Sequence, residues 1–524
     1  MAFAKTLEVL SSRTAVSTTT TQLSLLVIGA WVLSCFLLCI YRLYFHPLSQ
    51  FPGDRLAAAT GWVETYHDVF RGGQFIFKVE EWHAKYGPIV RISPWEVHIA
   101  DPDFVDILFS SNSHYEKKRE WKYRFGIHHS TFDTIEHQHH RLRRSAVAPF
   151  FAKQKIAGIT DYISSKAHRL CDRLEAEYKT AGQPANLSEG LTALTFDIIT
   201  YYIFARSFEY TERPNFDAPF TNAAKKLATT LHTMGHFPWV LTILQSLPKS
   251  VALAMNPTVG AVFEFHGAIE NQIRDIKSGV NDAHHDVAHK TVFNELLNSD
   301  LPPKEKSAER LNHEAASLVG GGVETTATTL AKASFFILEN PRIKAKLSAE
   351  LVTVFPDPHS TPALATLEAL PYLTSVVDEI LRMTIGISAR TIRKSPAAPV
   401  RYGDRVIPAG AYFSMTTYYT HKDAAIWEAP NEFRPERWLE RGGAPLALNG
   451  QPLSKYLVAF ARGPRMCVGM NLARAELFIV LAVLFRRCDN MVLFETTRTA
   501  VDMKADHVIP FPDPTTEGVR VLVN

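Results

Sequence analysis

The sequence predicts a mainly α-helical fold with small β-sheets, preceded by one N-terminal transmembrane helix. Apolar residues recur with helical spacing through most of the chain, up to about residue 385. Short alternating runs at 88–100 and 390–415 indicate minor strands, the first pair meeting at a Ser-Pro turn. An uncharged apolar run occupies 23–41. Together these patterns favour a large helical domain attached to a membrane.

The apolar run near the N-terminus predicts a membrane anchor. No charged residue lies between Arg13 and Arg42, and the 23–41 core is close to the length of about 20 residues that crosses a bilayer. A cleaved signal peptide is the alternative, but its apolar region is shorter, about 7–15 residues. Aromatic residues such as Trp31 and Tyr41 suit a membrane interface, which favours an uncleaved anchor.

We expect four segments along the chain. A tail occupies 1–22, the transmembrane anchor 23–41, a Pro-rich connector 42–60 and a single catalytic domain 61–524. The connector contains two prolines and a glycine, which predict a stiff link with a turn. Because no Gly/Ser linker, charge block or repeat divides the remainder, one large domain is favoured over several.

The composition excludes two classes of protein. The net charge is only +3 over 524 residues, and the basic residues are scattered, so nucleic-acid binding has no electrostatic support. Five cysteines are too few and too dispersed for a disulfide framework. Low cysteine usage suits a reducing compartment, such as the cytosol.

The longest predicted helix runs from Pro303 to Leu338 and is stopped by Pro341. It contains three consecutive glycines at 320–322, each of which costs about 1 kcal/mol relative to Ala inside a helix. Either packing offsets that cost or the helix opens locally, which would let a flat group approach the backbone. An acid and a hydroxyl follow directly at 324 and 325.

Cys467 differs from the other cysteines because it lies in a loop rich in glycine and arginine. A helix is expected to follow, over 471–487, and the start of a helix favours a thiolate. The N–H groups of Val468 and Gly469 are expected to point back at the sulfur, and Arg465 adds a nearby cation. A thiolate held in this way is a strong, soft donor to iron.

The segment 460–469 resembles the haem-binding signature of cytochromes P450, Phe-x-x-Gly-x-Arg-x-Cys-x-Gly. All five fixed positions match: Phe460, Gly463, Arg465, Cys467 and Gly469. The resemblance implies that Cys467 is the proximal ligand of the haem iron. It also implies that Phe460 packs near the sulfur, that Arg465 pairs with a haem propionate, and that Gly469 belongs to the haem-binding loop. The resemblance extends over essentially the whole chain.

The glycine-rich centre of the long helix is similar to a second motif of that family, Ala/Gly-Gly-x-Asp/Glu-Thr-Thr. Residues 321–326 match it completely. The resemblance implies that Glu324 and Thr325 are the catalytic pair, which delivers protons to bound dioxygen. The alternative from the residues alone is a flexible helix with polar neighbours.

Glu379 and Arg382 lie one helical turn apart and are able to pair. As an exposed pair they would contribute only about 0–1 kcal/mol and no function. Arg437 follows downstream in Phe-Arg-Pro-Glu-Arg-Trp, at the spacing expected in the family. These three residues therefore resemble its structural triad, whose role is support.

Three more residues are implied to hold the haem. In the family a Trp-x-x-x-Arg motif contacts a propionate, and here His140 stands where Trp is usual and Arg144 where Arg is usual. His140 is expected to donate a hydrogen bond, and Arg144 to pair with a carboxylate. Arg390, eight residues after Arg382, is expected to be a further propionate partner.

The resemblance implies a monooxygenase with haem b as its cofactor and O2 as co-substrate. Because no Gly-x-Gly-x-x-Gly dinucleotide fingerprint follows a strand, electrons are expected from NADPH through a separate NADPH-cytochrome P450 reductase, with cytochrome b5 as a second donor. The substrate is expected to be an apolar small molecule of fungal secondary metabolism, of the terpenoid or polyketide class. The expected location is the endoplasmic reticulum membrane, single-pass, with the catalytic domain in the cytosol.

Two alternatives stay open. One is a haem-thiolate isomerase or dehydratase that needs neither O2 nor a reductase. The other is a non-catalytic membrane haem protein. Members of the first kind tend to lose the acid–alcohol pair, whereas this chain keeps Glu324 and Thr325. The monooxygenase is therefore the favoured reading.

Overall fold

The computed structural model describes residues 22–280, 291–439 and 443–524. Most of the expected N-terminal tail, 1–21, lies outside the described residues. Within them the fold is mainly helical with small sheets and has one long N-terminal apolar helix, which confirms the predicted fold class.

The helices differ widely in length, and several are joined by single 3-10 or π turns. In chain order they are α1 (Gln22–Phe45), α2 (Arg55–Ala59), α3 (Trp62–Thr65), α4 (Phe75–Tyr86), α5 (Val105–Leu108), α6 (His137–Val147), α7 (Lys153–Ile156), α8 (Thr160–Arg173), α9 (Leu187–Phe204), α10 (Pro219–Ala228), α11 (Leu231–His236), α12 (Pro238–Ser246), α13 (Lys249–Met255), α14 (Val259–Ser278), α15 (Val292–Asn298), α16 (Ala308–Glu339), α17 (Pro341–Val354), α18 (Leu364–Glu368), α19 (Pro371–Thr384), α20 (Thr417–Lys422) and α21 (Met470–Arg487).

The strands are short and form four small sheets. They are β1 (Ile89–Arg91), β2 (Glu96–Ile99), β3 (Ala185–Asn186), β4 (Thr391–Lys394), β5 (Val400–Tyr402), β6 (Arg405–Ile407), β7 (Tyr412–Met415), β8 (Met491–Leu493), β9 (Ala505–His507), β10 (Ile509–Phe511) and β11 (Arg520–Val523). The largest sheet has the order β1-β2-β7-β4, with β2 and β7 parallel and the other pairs antiparallel. The remaining sheets are β3-β11-β8, β5-β6 and β9-β10.

Helix α16 forms the centre of the domain and packs against α9, α14, α19 and α21. Its 32 residues span about 48 Å at 1.5 Å per residue. It begins at Ala308 because the Ser307 side chain caps it, accepting a hydrogen bond from the N–H of Arg310. The expected start at Pro303 is wrong, since Pro303–Lys306 forms a separate 3-10 turn.

Helix α1 runs on into the region where the connector was expected, and α2 lies inside that region too. The junction is held by hydrogen bonds between side chains and backbone carbonyls. Buried Arg91 donates to the carbonyls of Arg42 (2.7 Å) and Pro94 (3.0 Å). Arg42 in turn donates to the carbonyl of Ala59 (2.8 Å). The end of α1 is therefore fixed against the domain by more than a stiff linker.

Candidate active site

The loop before α21 is shaped by close backbone contacts. The N–H of Cys467 donates to the carbonyl of Phe460 at 2.8 Å, which closes the loop on itself. Gly463 has φ +71°, and a Cβ atom there would lie only 2.5 Å from the carbonyl oxygen of Phe109. Only glycine fits both the left-handed backbone and the close approach. The fixed positions of the loop therefore place the cysteine at the start of α21.

Opposing effects act on the Cys467 thiol. Burial raises its pKa, whereas the N–H of Gly469, the charge of Arg144 and the N–H of Met470 lower it in part. The N–H donors are one residue later than the expected pair Val468 and Gly469, because the first turn of α21 begins at Met470. The net direction is upward although the side chain itself is exposed, and a bound metal cation would favour the thiolate.

Cations gather beside this loop. Arg465 donates to the carbonyls of Thr134 (2.8 Å) and Ile135 (2.6 Å), yet its buried Nε has no hydrogen-bond partner among the described residues. Burial lowers the pKa of Arg465 to about 10, and the more distant Glu116 and Glu136 oppose this only in part. A free donor in such a place is suited to an anionic ligand.

Two further cations, which the sequence did not single out, belong to the same group. Burial, followed by the charge of Arg465, lowers the pKa of Arg393 to about 9. Burial, followed by the charges of Arg465 and Arg393, holds the pKa of Lys117 well below its ordinary value, and Asp133 opposes this only in part. We call Lys117, Arg393 and Arg465 the cation cluster.

The expectation for Arg390 is wrong in this structure. Its guanidinium is buried and donates to the carboxylates of Glu64 and Glu96, the latter at 3.2 Å. Arg393, three residues further on, joins the cation cluster instead. The two arginines therefore have different surroundings, and only Arg393 is affected by the charge of Arg465 in the cysteine loop.

His140 and Arg144 lie next to the cation cluster and Cys467. Burial, followed by the charges of Arg465 and Lys117, lowers the pKa of His140 to about 2, so its ring is neutral and carries a single N–H donor. Arg144 donates to the carbonyl of Met466, the residue before the cysteine, at 2.6 Å. Both side chains therefore belong to the surroundings of Cys467.

The middle of α16 is open on one side and closely packed on another. Gly320 and Gly321 are exposed, and a Cβ atom on either would have no neighbour within 4 Å. A Cβ on Gly322 would instead lie 3.0 Å from Ile199 of α9. The helix is regular through all three positions, which favours the first of the two alternatives: close packing at Gly322 offsets part of the glycine cost, and the helix does not open locally.

Thr325 and Glu324 follow on the same helix. The Thr325 hydroxyl donates to the carbonyl of Gly321 at 2.7 Å. Burial raises the pKa of the Glu324 carboxyl, and Lys225 of α10, 3.9 Å away, partly opposes it. One carboxylate oxygen of Glu324 has no hydrogen-bond partner in the described part of the chain. The other oxygen accepts a hydrogen bond from the Thr328 hydroxyl at 3.4 Å. An acid with a raised pKa is suited to proton transfer.

The residues present fit an iron porphyrin. The fit rests on a soft sulfur donor, a cation cluster with an unpartnered N–H, and a helix face without side chains at Gly320 and Gly321. Lys117, Arg393 and Arg465, with Arg144 and the neutral His140, would hold two propionate groups. Cys467 would hold the metal, and the bare helix face would admit a flat ring.

The predicted triad is present as a buried carboxylate with several donors. Glu379 is fully buried and accepts hydrogen bonds from Arg382 (2.8 and 3.0 Å) and Arg437 (3.0 Å). It also accepts from the N–H of Arg434 (2.9 Å) and from the indole of Trp438 (2.8 Å). The network is buried. Glu379 and Arg382 are therefore not the exposed ion pair that the sequence left as an alternative.

His421 connects this network to the cysteine loop, although no local pattern in the sequence indicates this role. Its Nδ1 lies 2.9 Å from the carbonyl of Arg382, which only accepts, so Nδ1 carries the proton. Its Nε2 therefore accepts the N–H of Val458, two residues before Phe460, at 3.0 Å. Burial, followed by Arg382, lowers the pKa of His421 to about 3, which keeps this neutral form.

Comparison with known proteins agrees with this geometry. The family model described as Cytochrome P450 matches residues 61–512. The chain is 45% identical over 503 residues to Cytochrome P450 monooxygenase orf6 of Eupenicillium brefeldianum, covering 95% of this chain and 100% of that protein. It is 44% identical to orf3 of the same organism, covering 95% and 97%. It is 35% identical to the tryptophan 6-hydroxylase fscE of Fusarium equiseti, covering 95% and 96%.

Glu379→Gln is expected to lower stability by about 3–5 kcal/mol, because it leaves Arg382 buried without its counter-charge. For a domain of this size the midpoint of thermal unfolding should fall by about 3–5 °C. The control is Glu428→Gln, an exposed partner of Arg434 at 3.3 Å, which should change stability by less than about 1 kcal/mol. Equal midpoints for the two variants would contradict the role of the network.

Arg393→Gln is expected to weaken haem retention, because a charge-assisted hydrogen bond is worth about 1.5–3 kcal/mol. Transfer of haem to apomyoglobin should become roughly 10–100-fold faster. Arg401→Gln, exposed on β5, is the control and should leave the rate unchanged. If Arg390→Gln accelerated haem transfer and Arg393→Gln did not, the assignment of Arg393 would be wrong.

Proposed function

The chain belongs to the cytochrome P450 family and is a monooxygenase, and from that premise we propose that it inserts one oxygen atom of O2 into an apolar small molecule of fungal secondary metabolism. The single observation that carries the proposal is the acid–alcohol pair Glu324 and Thr325, which follows directly on the bare face of α16. When bound, the haem supplies oxygen activation and one-electron chemistry. The chain's own residues position the haem and the substrate, supply protons and exclude water.

In this proposal Cys467 is the iron ligand, held in place by the backbone of its loop. The N–H groups of Gly469 and Met470 moderate the charge on the sulfur. The cation cluster, Arg144 and His140 hold the propionates. Phe460 supports the loop through its backbone carbonyl, which accepts the N–H of Cys467.

In this proposal protons are supplied from α16 and not from the cysteine loop. The Thr325 hydroxyl is within one helical turn of the Gly321 carbonyl and is able to hold a water or pass a proton at Oγ1. Burial raises the pKa of the Glu324 carboxyl, which favours a role in proton transfer. Lys225 lies 3.9 Å from Glu324 and 3.7 Å from Glu189, so charged groups continue from the site towards the surface. We assign this line of groups to proton supply.

The substrate is proposed to be apolar and to contain rings. Aromatic side chains between α5 and α6 pack together, with ring centroids 6.3 Å apart for Trp121 and Phe125 and 5.7 Å for Phe125 and Phe132. Thr131 binds this segment to Glu314 of α16 at 2.8 Å. A terpenoid or polyketide scaffold is the first candidate. Hydroxylation of an indole ring is the second, favoured by two relatives named as tryptophan 6-hydroxylase and N-acetyltryptophan 6-hydroxylase.

Electrons are proposed to come from NADPH through NADPH-cytochrome P450 reductase, with cytochrome b5 as an additional donor. Helix α1 is proposed as the membrane anchor, with the catalytic domain on the cytosolic face of the endoplasmic reticulum. Support for the anchor comes from its apolar side chains, which are exposed along its length. Such a helix has no protein partner for these side chains among the described residues, whereas lipid would cover them.

Co-expression with the reductase tests the proposed reaction. Membranes are incubated with NADPH and O2, and with a fungal metabolite extract, tryptophan or N-acetyltryptophan as substrate. We expect a thiolate-type carbonyl spectrum and NADPH-dependent oxidised products. Product formation without NADPH would identify the isomerase or dehydratase alternative. Haem binding without oxygen consumption on any substrate would identify the non-catalytic alternative.

Thr325→Ala is expected to uncouple oxygen reduction from product formation, because the hydroxyl that passes protons is removed. Product formed per NADPH should fall at least about tenfold, while NADPH consumption continues. The matched control is Thr329→Ala, one turn further, whose hydroxyl bonds only to the carbonyl of Thr325 at 2.8 Å in this structure. Unchanged yield per NADPH in Thr325→Ala would refute the proton-delivery role.

The double variant Leu33→Arg and Leu37→Arg is expected to abolish stable membrane insertion. Each arginine near the centre of a spanning helix costs about 2.5–3.5 kcal/mol. The wild-type chain should resist extraction from membranes by alkaline carbonate, and the double variant should be released. Val492→Arg, at an exposed position of β8, is the control and should stay in the membrane. A mature wild-type chain that lacks its N-terminal residues would instead identify a cleaved signal peptide.

A further inference from the structure

A second group of metal-ligating side chains lies away from the cysteine loop. Asp68 belongs to the π turn Tyr66–Phe70 that continues α3, and His232 and His236 lie one turn apart on α11. Their nearest ligand atoms all lie within 4.8 Å of one another. Asp68 and His232 are 3% and 1% exposed, and His236 is mostly buried. The group therefore lies inside the protein, where three polar side chains so close together need partners.

The separations within the group are too long for hydrogen bonds between charged partners. His232 Nδ1 lies 3.4 Å from Asp68 Oδ2, and His236 Nε2 lies 3.5 Å from the same oxygen. Charge-assisted N–H···O bonds are about 2.7–2.9 Å long. Both ring nitrogens are buried and have no hydrogen-bond partner in the described part of the structure. Two unpartnered nitrogens thus face one carboxylate oxygen.

The tautomer of His232 is fixed by its other nitrogen. Its Nε2 lies 2.6 Å from the backbone carbonyl of Asp506, in β9, and a carbonyl is only an acceptor. Nε2 therefore carries the proton, and in the neutral ring Nδ1 presents a lone pair towards Asp68. A metal-binding histidine typically has this arrangement, with its second nitrogen donating to a carbonyl.

His236 has the same arrangement through a hydroxyl. Its Nδ1 lies 3.1 Å from Oγ1 of Thr65, and that hydroxyl donates its own proton to the carbonyl of Gly61 at 3.3 Å. The hydroxyl oxygen is thus left to accept the Nδ1 proton of His236. Its Nε2 is then a second lone pair aimed at Asp68.

The distances match those of a tetrahedral metal centre. Zinc binds imidazole nitrogen at about 2.0–2.1 Å and carboxylate oxygen at about 2.0–2.2 Å. Two ligand atoms of such a tetrahedron are about 3.3–3.5 Å apart, a value that follows from these bond lengths. The two measured separations are 3.4 and 3.5 Å. The Asp506 carbonyl and the Thr65 hydroxyl therefore help to hold the two histidines at metal-ligand spacing from Asp68.

The buried guanidinium of Arg390 has carboxylate partners other than Asp68. Arg390 donates its hydrogen bonds to Glu64 and Glu96 and leaves Asp68 to the histidines. The group thus consists of one carboxylate and two imidazoles, a ligand set suited to zinc and related divalent ions.

We propose that Asp68, His232 and His236 form a binding site for a divalent transition-metal ion, zinc, with water as the fourth ligand. The site is separate from the cysteine loop and is independent of the proposed reaction. Its role is structural, because it joins α11 to the helical segment before α4 and, through His232, to the β9-β10 hairpin. That hairpin already contacts the loop after α19, where the Ser388 hydroxyl donates to Asp506 at 2.7 Å.

The alternative for the same residues is a histidine–aspartate cluster in which one ring is protonated and no metal binds. A second alternative is zinc binding at another group, His129, Glu309 and His313, which also has ligand atoms within 4.8 Å of one another. That group is more exposed, with Glu309 69% exposed, and it provides the matched control.

The experiment uses the full-length holoenzyme without a polyhistidine tag, in detergent, after incubation with Zn²⁺ and removal of free metal by gel filtration. The zinc-to-iron ratio is measured by mass spectrometry. We expect about one zinc per haem iron in the wild type. His236→Gln and Asp68→Asn should reduce the ratio at least tenfold. His313→Gln should leave it unchanged.

His236→Gln is the main variant because Gln is able to keep a hydrogen bond to Thr65, and a normal carbonyl spectrum confirms its folding. A chelator should lower the thermal midpoint of the wild type by about 3 °C, as expected for loss of a ligand at 100-fold excess over its Kd, and should not affect His236→Gln. X-ray absorption at the zinc edge of the wild type should give two imidazole nitrogens. A wild-type ratio no higher than that of His236→Gln overturns the proposal. Loss of zinc in His313→Gln also overturns it, since the metal would then lie at the other group.

Discussion

The buried carboxylate of Glu379 is the interaction on which the rest of the structure depends. It is the counter-charge of two guanidinium groups, those of Arg382 and Arg437, and it is closed off from water. Arg382 then fixes His421, and His421 fixes the backbone of Val458 at the entrance to the cysteine loop. A desolvated charge is tolerated only when every partner is in place, so this network has one stable arrangement. The position of the sulfur follows from it.

The site itself has two unfavourable electrostatic features that a single cofactor would relieve together. Burial raises the pKa of the Cys467 thiol, and burial with mutual repulsion lowers those of Lys117 and Arg393. An iron porphyrin carries a cation for the thiolate and two carboxylates for the cations. Binding free energy of this kind is also folding free energy. The fold and its cofactor are therefore expected to depend on each other for stability.

The sequence predicts best what is local along the chain. Helices α16 and α21 follow from periodicity and proline. The cysteine loop, the pair Glu324 and Thr325, and the two halves of the triad are motifs with fixed spacing, and their roles stay predictions. The sequence could not distinguish Arg390 from Arg393, because their surroundings come from distant segments. Arg390 binds Glu64 and Glu96, whereas Arg393 is affected by the charge of Arg465. Contacts between distant segments, such as His421 with Val458 or Asp68 with His232, leave no pattern in the sequence because chain folding alone brings them together.

The junction at Arg91 has a consequence for the orientation that the proposed membrane anchor would give the domain. The guanidinium of this β1 residue binds the carbonyl of Arg42, inside the last turns of α1, and the ring of Trp95 lies 5.1 Å from the Arg42 side chain. The tilt of the domain is thus encoded within the globular part and not within the apolar helix. Exchanging the apolar part of that helix for one from an unrelated protein, with Arg42 kept, would therefore preserve the orientation as well as the proposed membrane attachment. The sheet of the domain, and not its anchor, would determine which face of the enzyme meets the lipid.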